Sequence, residues 1–452
     1  MNIKDFCVTK KQTLKAVMKV IDVAGFGIAI IVEKQKLLGI ITDSDIRRAL
    51  LEGITLETPV EQVMNKEPIK ITSKELEDQS FSVEQFPLYG ITQVPVVDKN
   101  NNIKDILMIS KKEIVGQLTD GKQKPVKRIL VVGGAGYLGS VLCPYLLSKG
   151  YTVCILDNLT YGDAGIKNIY HYKNFEFTYG DMRDMKTVMR AIKDVDAVIY
   201  LAAIVGDPAC DLDPEETIKS NYLATKLFAE VCKYSQINRF IFASTCSVYG
   251  AAEPGKMLTE TSKLNPVSLY AQMKLKSEHG LLELEDDNFS PTILRMGTLF
   301  GSSPRMRFDL VVNILTIKAL KEHQFKIFGG NQWRALCSVD DASDAYIRCL
   351  ESPIKEVKGQ VFNISTSNMQ IKQIGDIVHK ILPDAQMIIE KDKEDARNYC
   401  VSSDKAQRIL DFEGLDEVED AVIDIKLKVK NTNAFEDYLN KKYSNVAFLR
   451  KC

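Results

Sequence analysis

Arg128-Ile129-Leu130-Val131-Val132-Gly133-Gly134-Ala135-Gly136-Tyr137-Leu138-Gly139 runs from an apolar stretch into a glycine cluster and on into the start of a helix. An unbroken apolar run of this length, bounded by glycine, reads as a strand buried on both faces. Glycines directly after it let backbone N–H groups come close to a pyrophosphate, and the N-terminus of the following helix favours the phosphate charge. Gly134, Gly136 and Gly139 satisfy the Gly-x-Gly-x-x-Gly spacing. A second apolar run, Tyr151-Thr152-Val153-Cys154-Ile155-Leu156, delivers Asp157 near the offset of roughly 20 residues expected for a carboxylate on the adenosine ribose. An acid at that place favours NAD over NADP. The stretch therefore predicts an α/β domain, a Rossmann-type doubly wound parallel sheet, beginning at residue 127.

Far downstream, Tyr270-Ala271-Gln272-Met273-Lys274 sets a phenol and an ammonium on one face of a helix, because residues four apart stack one above the other. A free tyrosine titrates near pH ~10, too high for a base at neutral pH; the lysine charge and an oxidised nicotinamide would both lower it. Tyr270 is then placed to take a proton from a hydroxyl while hydride leaves the same carbon. A surface Tyr/Lys pair is common on helices, and it is the upstream glycine cluster that selects the catalytic reading. Thr245 follows the apolar run Arg239-Phe240-Ile241-Phe242-Ala243, at the carboxyl end of a strand, where ligands sit in open α/β sheets.

These features resemble the extended short-chain dehydrogenase/reductase family, in its nucleotide-sugar epimerase and dehydratase branch. The resemblance covers residues 127 to about 430 and rests on ordered pieces: Gly133-x-x-Gly136-x-x-Gly139, Asp157-Asn158-Leu159, Gly180-Asp181-Met182-Arg183-Asp184, Leu201-Ala202-Ala203, Ser244-Thr245-Cys246-Ser247-Val248-Tyr249-Gly250, Tyr270-x-x-x-Lys274 and Leu294-Arg295. It implies NAD as cofactor, a nucleoside-diphosphate sugar as substrate, and a smaller C-terminal substrate-binding subdomain within residues 127–452. Residue by residue, it implies Gly133, Gly136, Tyr137, Leu138 and Gly139 at the dinucleotide, with Asp157 and Asn158 at the adenosine ribose. Asp181 and Met182 fall at the adenine edge and Ala202 and Ala203 beneath the cofactor, while Tyr270 and Lys274 serve both cofactor and chemistry. Thr245 bridges the substrate hydroxyl and Tyr270. Ser244 contacts substrate or cofactor, although turn hydrogen bonding explains Ser244 and Ser247 equally. Asn221 supports the site from a helix. Arg334 and Arg397 meet the diphosphate with planar donors; Ser338 stands where the family has a histidine before Val-x-Asp. Arg305, Arg307, Asp309 and Asn313 approach the base or the sugar. Val205-Gly206-Asp207-Pro208 and Ser303-Pro304-Arg305-Met306-Arg307-Phe308-Asp309-Leu310 look most like a subgroup with GDP-heptose 4-dehydrogenases and 4-epimerase-like enzymes.

The two residues after Thr245 discriminate among reactions. The family's 4,6-dehydratases carry Asp-Glu there, a second acid/base pair for elimination, whereas this chain has Cys246-Ser247. Cys246 is a thiol that donates to carbon or a small buried side chain, and packing is the usual fate of cysteine. Three functions follow: an epimerase that oxidises C4 transiently, a 4-dehydrogenase that releases a 4-keto sugar, and a silent nucleotide sensor. The intact Thr245, Tyr270 and Lys274 set counts against the last.

The first 115 residues have a duplicated grammar, a helix followed by two apolar strands, with halves at about 1–58 and 59–115. In the first half, residues 13–21 have helical spacing and residues 27–32 and 37–41 read as strands. Pro59-Val60-Glu61-Gln62-Val63-Met64, Gln93-Val94-Pro95-Val96-Val97 and Ile103-Lys104-Asp105-Ile106-Leu107 repeat the order. This is similar to a tandem pair of cystathionine-β-synthase-type (CBS) domains, an α+β Bateman module. Gly39-Ile40-Ile41-Thr42-Asp43-Ser44-Asp45 matches its nucleoside motif, implying Thr42 at a phosphate and Asp45 at a ribose of adenine or another nucleotide. The competing reading of Thr42 is a helix cap. The second copy, Leu107-Met108-Ile109-Ser110-Lys111-Lys112-Glu113, lacks the glycine. Residues 116–126, polar and ending near Pro125, read as a linker.

At 452 residues the chain exceeds a single core. Its 59 basic and 60 acidic residues are dispersed and leave a net charge of −1, so no nucleic-acid footprint is expected. Ten cysteines without a Cys-x-x-Cys pair, and no signal-like or membrane-length apolar run, predict a cytoplasmic protein with reduced thiols and no membrane partner. Four scattered histidines predict no metal site. Helices expected near 215–236 and 268–285 correspond to those that pair between subunits in the family, which implies a homodimer, or a tetramer if the N-terminal module adds contacts.

Overall fold

The computed structural model describes residues 3–24, 27–42, 45–46, 49–50, 53–77, 93–108, 126–252, 256–390, 397–432 and 434–450. They divide into two compact units, Met1–Lys124 and Pro125–Cys452.

In the second unit, Ile129, Leu130 and Val131 are wholly buried and form strand Arg128–Val132 at the heart of a seven-stranded sheet. Across the sheet the order is Val361–Ile364, Ser290–Met296, Arg239–Thr245, Ala197–Tyr200, Arg128–Val132, Thr152–Asp157 and Phe175–Tyr179, and every neighbouring pair is parallel. From Arg128–Val132 the chain first moves outward on one side and then returns to build the other, starting with Ala197–Tyr200. The crevice for a ligand in such a sheet lies at this reversal, beyond the carboxyl ends of the strands. Apolar side chains on both sheet faces form two separate cores, as expected for a parallel sheet covered by helices.

The glycine turn is required by its packing. Gly133 has φ +82°, and a Cβ there would stand 2.7 Å from Ala202 N. A Cβ on Gly139, the first residue of helix Gly139–Ser148, would stand 2.5 Å from Gly134 O. Strand Thr152–Asp157 then ends on the acid itself.

The helix expected over 215–236 is interrupted: Pro214–Ile218 leads into a π-turn, Lys219–Leu223, before Ala224–Tyr234. Such wide turns recur at functional sites, and this one carries Asn221. The helix expected over 268–285 is Leu269–Glu283, with Ser268 Oγ accepting from Ala271 N at 3.2 Å. A smaller subdomain holds strands Thr298–Phe300, Trp333–Ser338 and Ser367–Gln370, with helices Val311–Glu322, Ile371–Ile381 and Val418–Thr432 packed around their own core.

In the first unit, Cys7–Val8 pairs parallel with Ile28–Glu33, which pairs antiparallel with Lys36–Thr42. Ile71–Thr72, Gln93–Val97 and Ile103–Met108 repeat the pattern. The segment from Pro59 differs from the expected opening of the second half. It forms only the short turn Val60–Gln62, and Val60 is buried with Leu14 and Val17 in the first half's core. Its backbone is bound there too, through Val60 N to Gln12 O at 2.8 Å and Asn65 N to Ile40 O at 2.9 Å. Among the described residues no helix is long and apolar enough to cross a membrane.

Candidate active site

A cavity of about 870 Å3 opens at the carboxyl ends of the central strands, within the range of small-molecule sites. The glycine turn lines one end through Gly133, Gly136, Tyr137, Leu138 and Gly139. Asp157 lies at the adjacent strand end. Its Oδ2 accepts from Ala135 N at 3.0 Å and its Oδ1 from Leu159 N at 2.8 Å, so the carboxylate is pre-aimed and keeps lone pairs free for a ribose. Burial raises its pKa above the usual range, against those two backbone donors. Asn158, Asp181, Met182, Ala202 and Ala203 line the same cavity. Asn158 Oδ1 holds Thr160 Oγ1 at 2.6 Å, Asp181 is paired with Arg183 at 2.7 Å, and Met182 Sδ accepts from Tyr200 at 3.0 Å. A groove floored by Ala202, closed at one end by a side-chain-free turn and bearing a fixed carboxylate, fits a dinucleotide.

Thr245, Tyr270 and Lys274 line the same cavity. Thr245 ends its strand and its Oγ1 accepts from Ser247 N at 3.1 Å, which caps the turn Cys246–Tyr249. Lys274 donates to Ala243 O at 2.7 Å and lies 4.7 Å from the Phe242 ring centre. Burial lowers its pKa to about 8. Burial pushes the Tyr270 pKa up, Cys210 and Asp207 push the same way, and Arg307 opposes them.

Asn221 acts through the backbone. Its Oδ1 accepts from Ile204 N and its Nδ2 donates to Ile204 O, both at 2.8 Å, which clamps the loop 201–206 along the cavity wall. Ser244 also lines the cavity, yet its hydroxyl donates to Glu278, which is bound to Arg295 at 2.7 Å in a buried ion pair. Cys246 lies outside the lining. Its thiol is fully buried and donates to Arg295 O at 3.1 Å, so it packs behind the site and is not available to protonate a substrate carbon.

Arg334, Arg397, Asp309, Arg305 and Arg307 all line the cavity. Arg334 donates to Trp333 O at 2.8 Å and to the Arg397 carbonyl. Arg397 is paired with Asp207 at 3.2 Å, and Asp207 also accepts from Ser268 Oγ at 2.8 Å. Arg307 and Asp309 pair at 2.9 Å. Asn313 departs from its expected place at the substrate. It is wholly buried outside the lining, where its amide accepts from Gly301 N at 3.0 Å and donates to Arg307 O at 3.0 Å and Tyr137 Oη at 3.2 Å. Ser338, in place of the family's histidine, caps helix Val339–Glu351 and donates to Asp416 at 2.7 Å. In the N-terminal unit, Thr42 Oγ1 donates to Asp45 at 2.8 Å and accepts from Asp45 N at 3.3 Å, the geometry of a helix cap. Residues 109–113 of the second copy lie outside the described residues.

The sequence reading missed Glu278 and the C-terminal residues Asn445, Val446 and Leu449, which also line or support the cavity. Nothing local marks them, since Glu278 reads as a helix polar position and residues 444–449 as a short tail.

Comparison with known proteins agrees with this geometry. UDP-glucose 4-epimerase of Bacillus subtilis (strain 168) is 28% identical over 261 residues, 53% of this chain and 77% of that protein. Putative UDP-arabinose 4-epimerase 2 of Arabidopsis thaliana is 30% identical over 272 residues, 53% of this chain and 64% of that protein. The solved structure of UDP-glucuronic acid 4-epimerase from Bacillus cereus with UDP-glucuronic acid and NAD superposes with a TM-score of 0.59 at 28% identity, covering 66% of this chain and 96% of that one. A CBS domain model matches residues 1–52. The NAD dependent epimerase/dehydratase family model matches residues 129–365, more than half of the chain, and the protein belongs to that family.

Proposed function

We propose that the protein is an NAD-dependent nucleotide-sugar epimerase acting at C4 of a nucleoside-diphosphate sugar, with a nucleotide-responsive N-terminal CBS module. The observation that carries this reading is one cavity holding the glycine turn, Asp157, Thr245, Tyr270 and Lys274, with no carboxylate pair after Thr245. When bound, NAD+ would supply a reversible acceptor for the C4 hydride. Lys274 and the oxidised ring together would favour the Tyr270 phenolate, which accepts the O4 proton as C4 is oxidised and returns it when C4 is reduced. Thr245 holds the O4 hydroxyl between itself and Tyr270. Arg334 and Arg397 take the diphosphate, with Arg397 exchanging its Asp207 partner for phosphate oxygens.

Elimination has no support here: Cys246 is buried against Arg295 O, and Ser247 Oγ lies 3.4 Å from Tyr399 Oη. The named relatives and the solved neighbour are all 4-epimerases of UDP sugars, which favours a uridine nucleotide. The test is to denature fresh protein, identify the released nucleotide by mass, and incubate native protein with UDP-glucose, UDP-glucuronic acid, UDP-arabinose and GDP-hexoses while following absorbance at 340 nm. Retained NAD and a C4-inverted sugar without accumulating NADH are expected. Net NADH with a released keto sugar overturns the epimerase reading.

A further inference from the structure

Beyond helix Val418–Thr432 the chain runs back over the cavity, and residues 444–449 help to line it. Asn445 is 4% exposed and joins three parts of the site. Its Oδ1 accepts from Arg305 Nη2 at 2.7 Å, its backbone N–H donates to Asp309 Oδ2 at 2.9 Å, and its Nδ2 donates to Val205 O at 3.1 Å. Phe448 meets the edge of Tyr161 with ring centres 5.4 Å apart, and the Arg305 guanidinium lies 4.2 Å from the Tyr161 ring centre. Phe435 and Tyr443 pack on Phe308 at 5.1 and 5.3 Å, which ties the segment to the loop that carries Arg305.

Arg305 itself is 4% exposed, and its buried Nε has no hydrogen-bond partner. A buried guanidinium N–H without an acceptor is costly, and this side chain lines the cavity. Its place within the cavity is fixed by its neighbours. Ser303 Oγ shares a hydrogen bond of 2.7 Å with Ser140 Oγ and donates to Tyr137 O at 2.9 Å, which fastens the Arg305 loop to the first turn of the helix after the glycines. Arg305 N donates in turn to Ser303 Oγ at 3.2 Å. Arg305 and Asp157 feel each other's charge. A cavity-lining cation on a loop fastened to the first turn of the helix after the glycines is within the part of the cavity that the glycine turn offers to a dinucleotide pyrophosphate.

We propose that Arg305 clamps the cofactor pyrophosphate and that Asn445 positions it, so that the C-terminal segment is a latch that retains NAD between turnovers. The inference rests on the proposed function only through the dinucleotide: an epimerase that must take back its own hydride needs the cofactor to stay. Charged, planar donors on phosphate make the strongest contacts of this kind.

The test uses the full chain and reads cofactor binding, not turnover. Arg305→Gln, Arg305→Lys and Asn445→Ala are compared with the wild type for NAD carried through gel filtration, for NAD and UDP affinity by calorimetry, and for melting temperature. Arg305→Gln and Asn445→Ala are expected to lose the carried NAD and to bind NAD roughly tenfold or more weakly, with UDP affinity unchanged. Arg305→Lys is expected to keep part of the affinity because it keeps the charge. The Arg305→Gln/Asn445→Ala pair is expected to be no weaker than Arg305→Gln alone, since one residue acts through the other. Unchanged NAD affinity in the folded Gln variant overturns the proposal, as does a fall confined to UDP, which would assign Arg305 to the substrate. A wild-type chain that takes up no NAD overturns the proposed function itself, and this inference with it.

Discussion

Tyr270 sits in surroundings that by themselves oppose its ionisation, and this sets how its variants behave. Removing the hydroxyl leaves cavity shape and lysine in place, so Tyr270→Phe is expected to bind NAD as the wild type does while kcat falls by a factor of roughly 10^2–10^4, the range of a positioned acid/base. Stopped-turnover assays beside NAD titration separate the two effects. Lys274 adds a pH signature. Burial brings it to about 8, below its ordinary value. Activity that needs the ammonium is therefore expected to fall as pH rises through about 8. Stability moves the other way: between about 8 and the ordinary lysine range the unfolded chain binds more protons, so this group's contribution favours folding increasingly as pH rises. Melts of cofactor-free wild type against Lys274→Met from pH 7 to 10 are expected to show the wild type gaining on the variant across that window, and a constant difference would refute the assignment. Both residues were legible because their spacing is local. Glu278 was not: its role comes from Arg295, which is close in space but on the strand Ser290–Met296, and from the Ser244 hydroxyl that the pair captures.

Elements with the clearest sequence signals are those whose function is settled within a few residues. A strand, three glycines and an acid at the next strand's end carry their geometry in the order of residues, and Arg128–Val132, Gly139–Ser148 and Thr152–Asp157 form where that order puts them. The π-turn was hidden, because Lys219–Leu223 continues a helical pattern and the extra residue per turn answers to packing: Asn221 must reach Ile204, and its carbonyl accepts from both Ser277 and Thr225 hydroxyls at 2.8 and 3.0 Å. Pro59–Asn65 misleads for a related reason, its apolar residues facing a core built earlier in the chain. The π-turn gives the prediction at this scale. Asn221→Ala leaves the Ile204 amide and carbonyl without their clamp, and a buried group so deprived costs about 1–3 kcal/mol. Urea unfolding of the second unit should show a loss of that size, with kcat/KM lowered as the loop 201–206 loses its place, whereas Asn221→Asp, which still accepts from Ile204 N, should lose less.

At the scale of the molecule, the two units have separate cores, and the second leaves apolar surface uncovered. The second unit leaves Ile218 at 38%, Leu223 at 51%, Leu227 at 41% and Tyr234 at 55% exposure along the stretch that runs through the π-turn. Large apolar side chains in a row on one helical stretch mark an association surface, and Leu223 and Leu227, four residues apart, share one face across the end of the wide turn. A homodimer that pairs this face with its own copy would cover these side chains in the self-complementary way of a two-fold interface. The π-turn is bonded through Ser277 to helix Leu269–Glu283, which carries Tyr270 and Lys274, so loss of such a dimer is expected to reach these residues as well as the assembly. Leu223→Asp with Leu227→Asp places two charges where the copy's apolar surface would lie. The variant is expected to sediment at half the mass of the wild type in analytical ultracentrifugation and to turn over more slowly, while a chain beginning at Pro125 is expected to sediment at twice its own chain mass because the face belongs wholly to the second unit. If the charged variant keeps the wild-type mass, this face is not the interface.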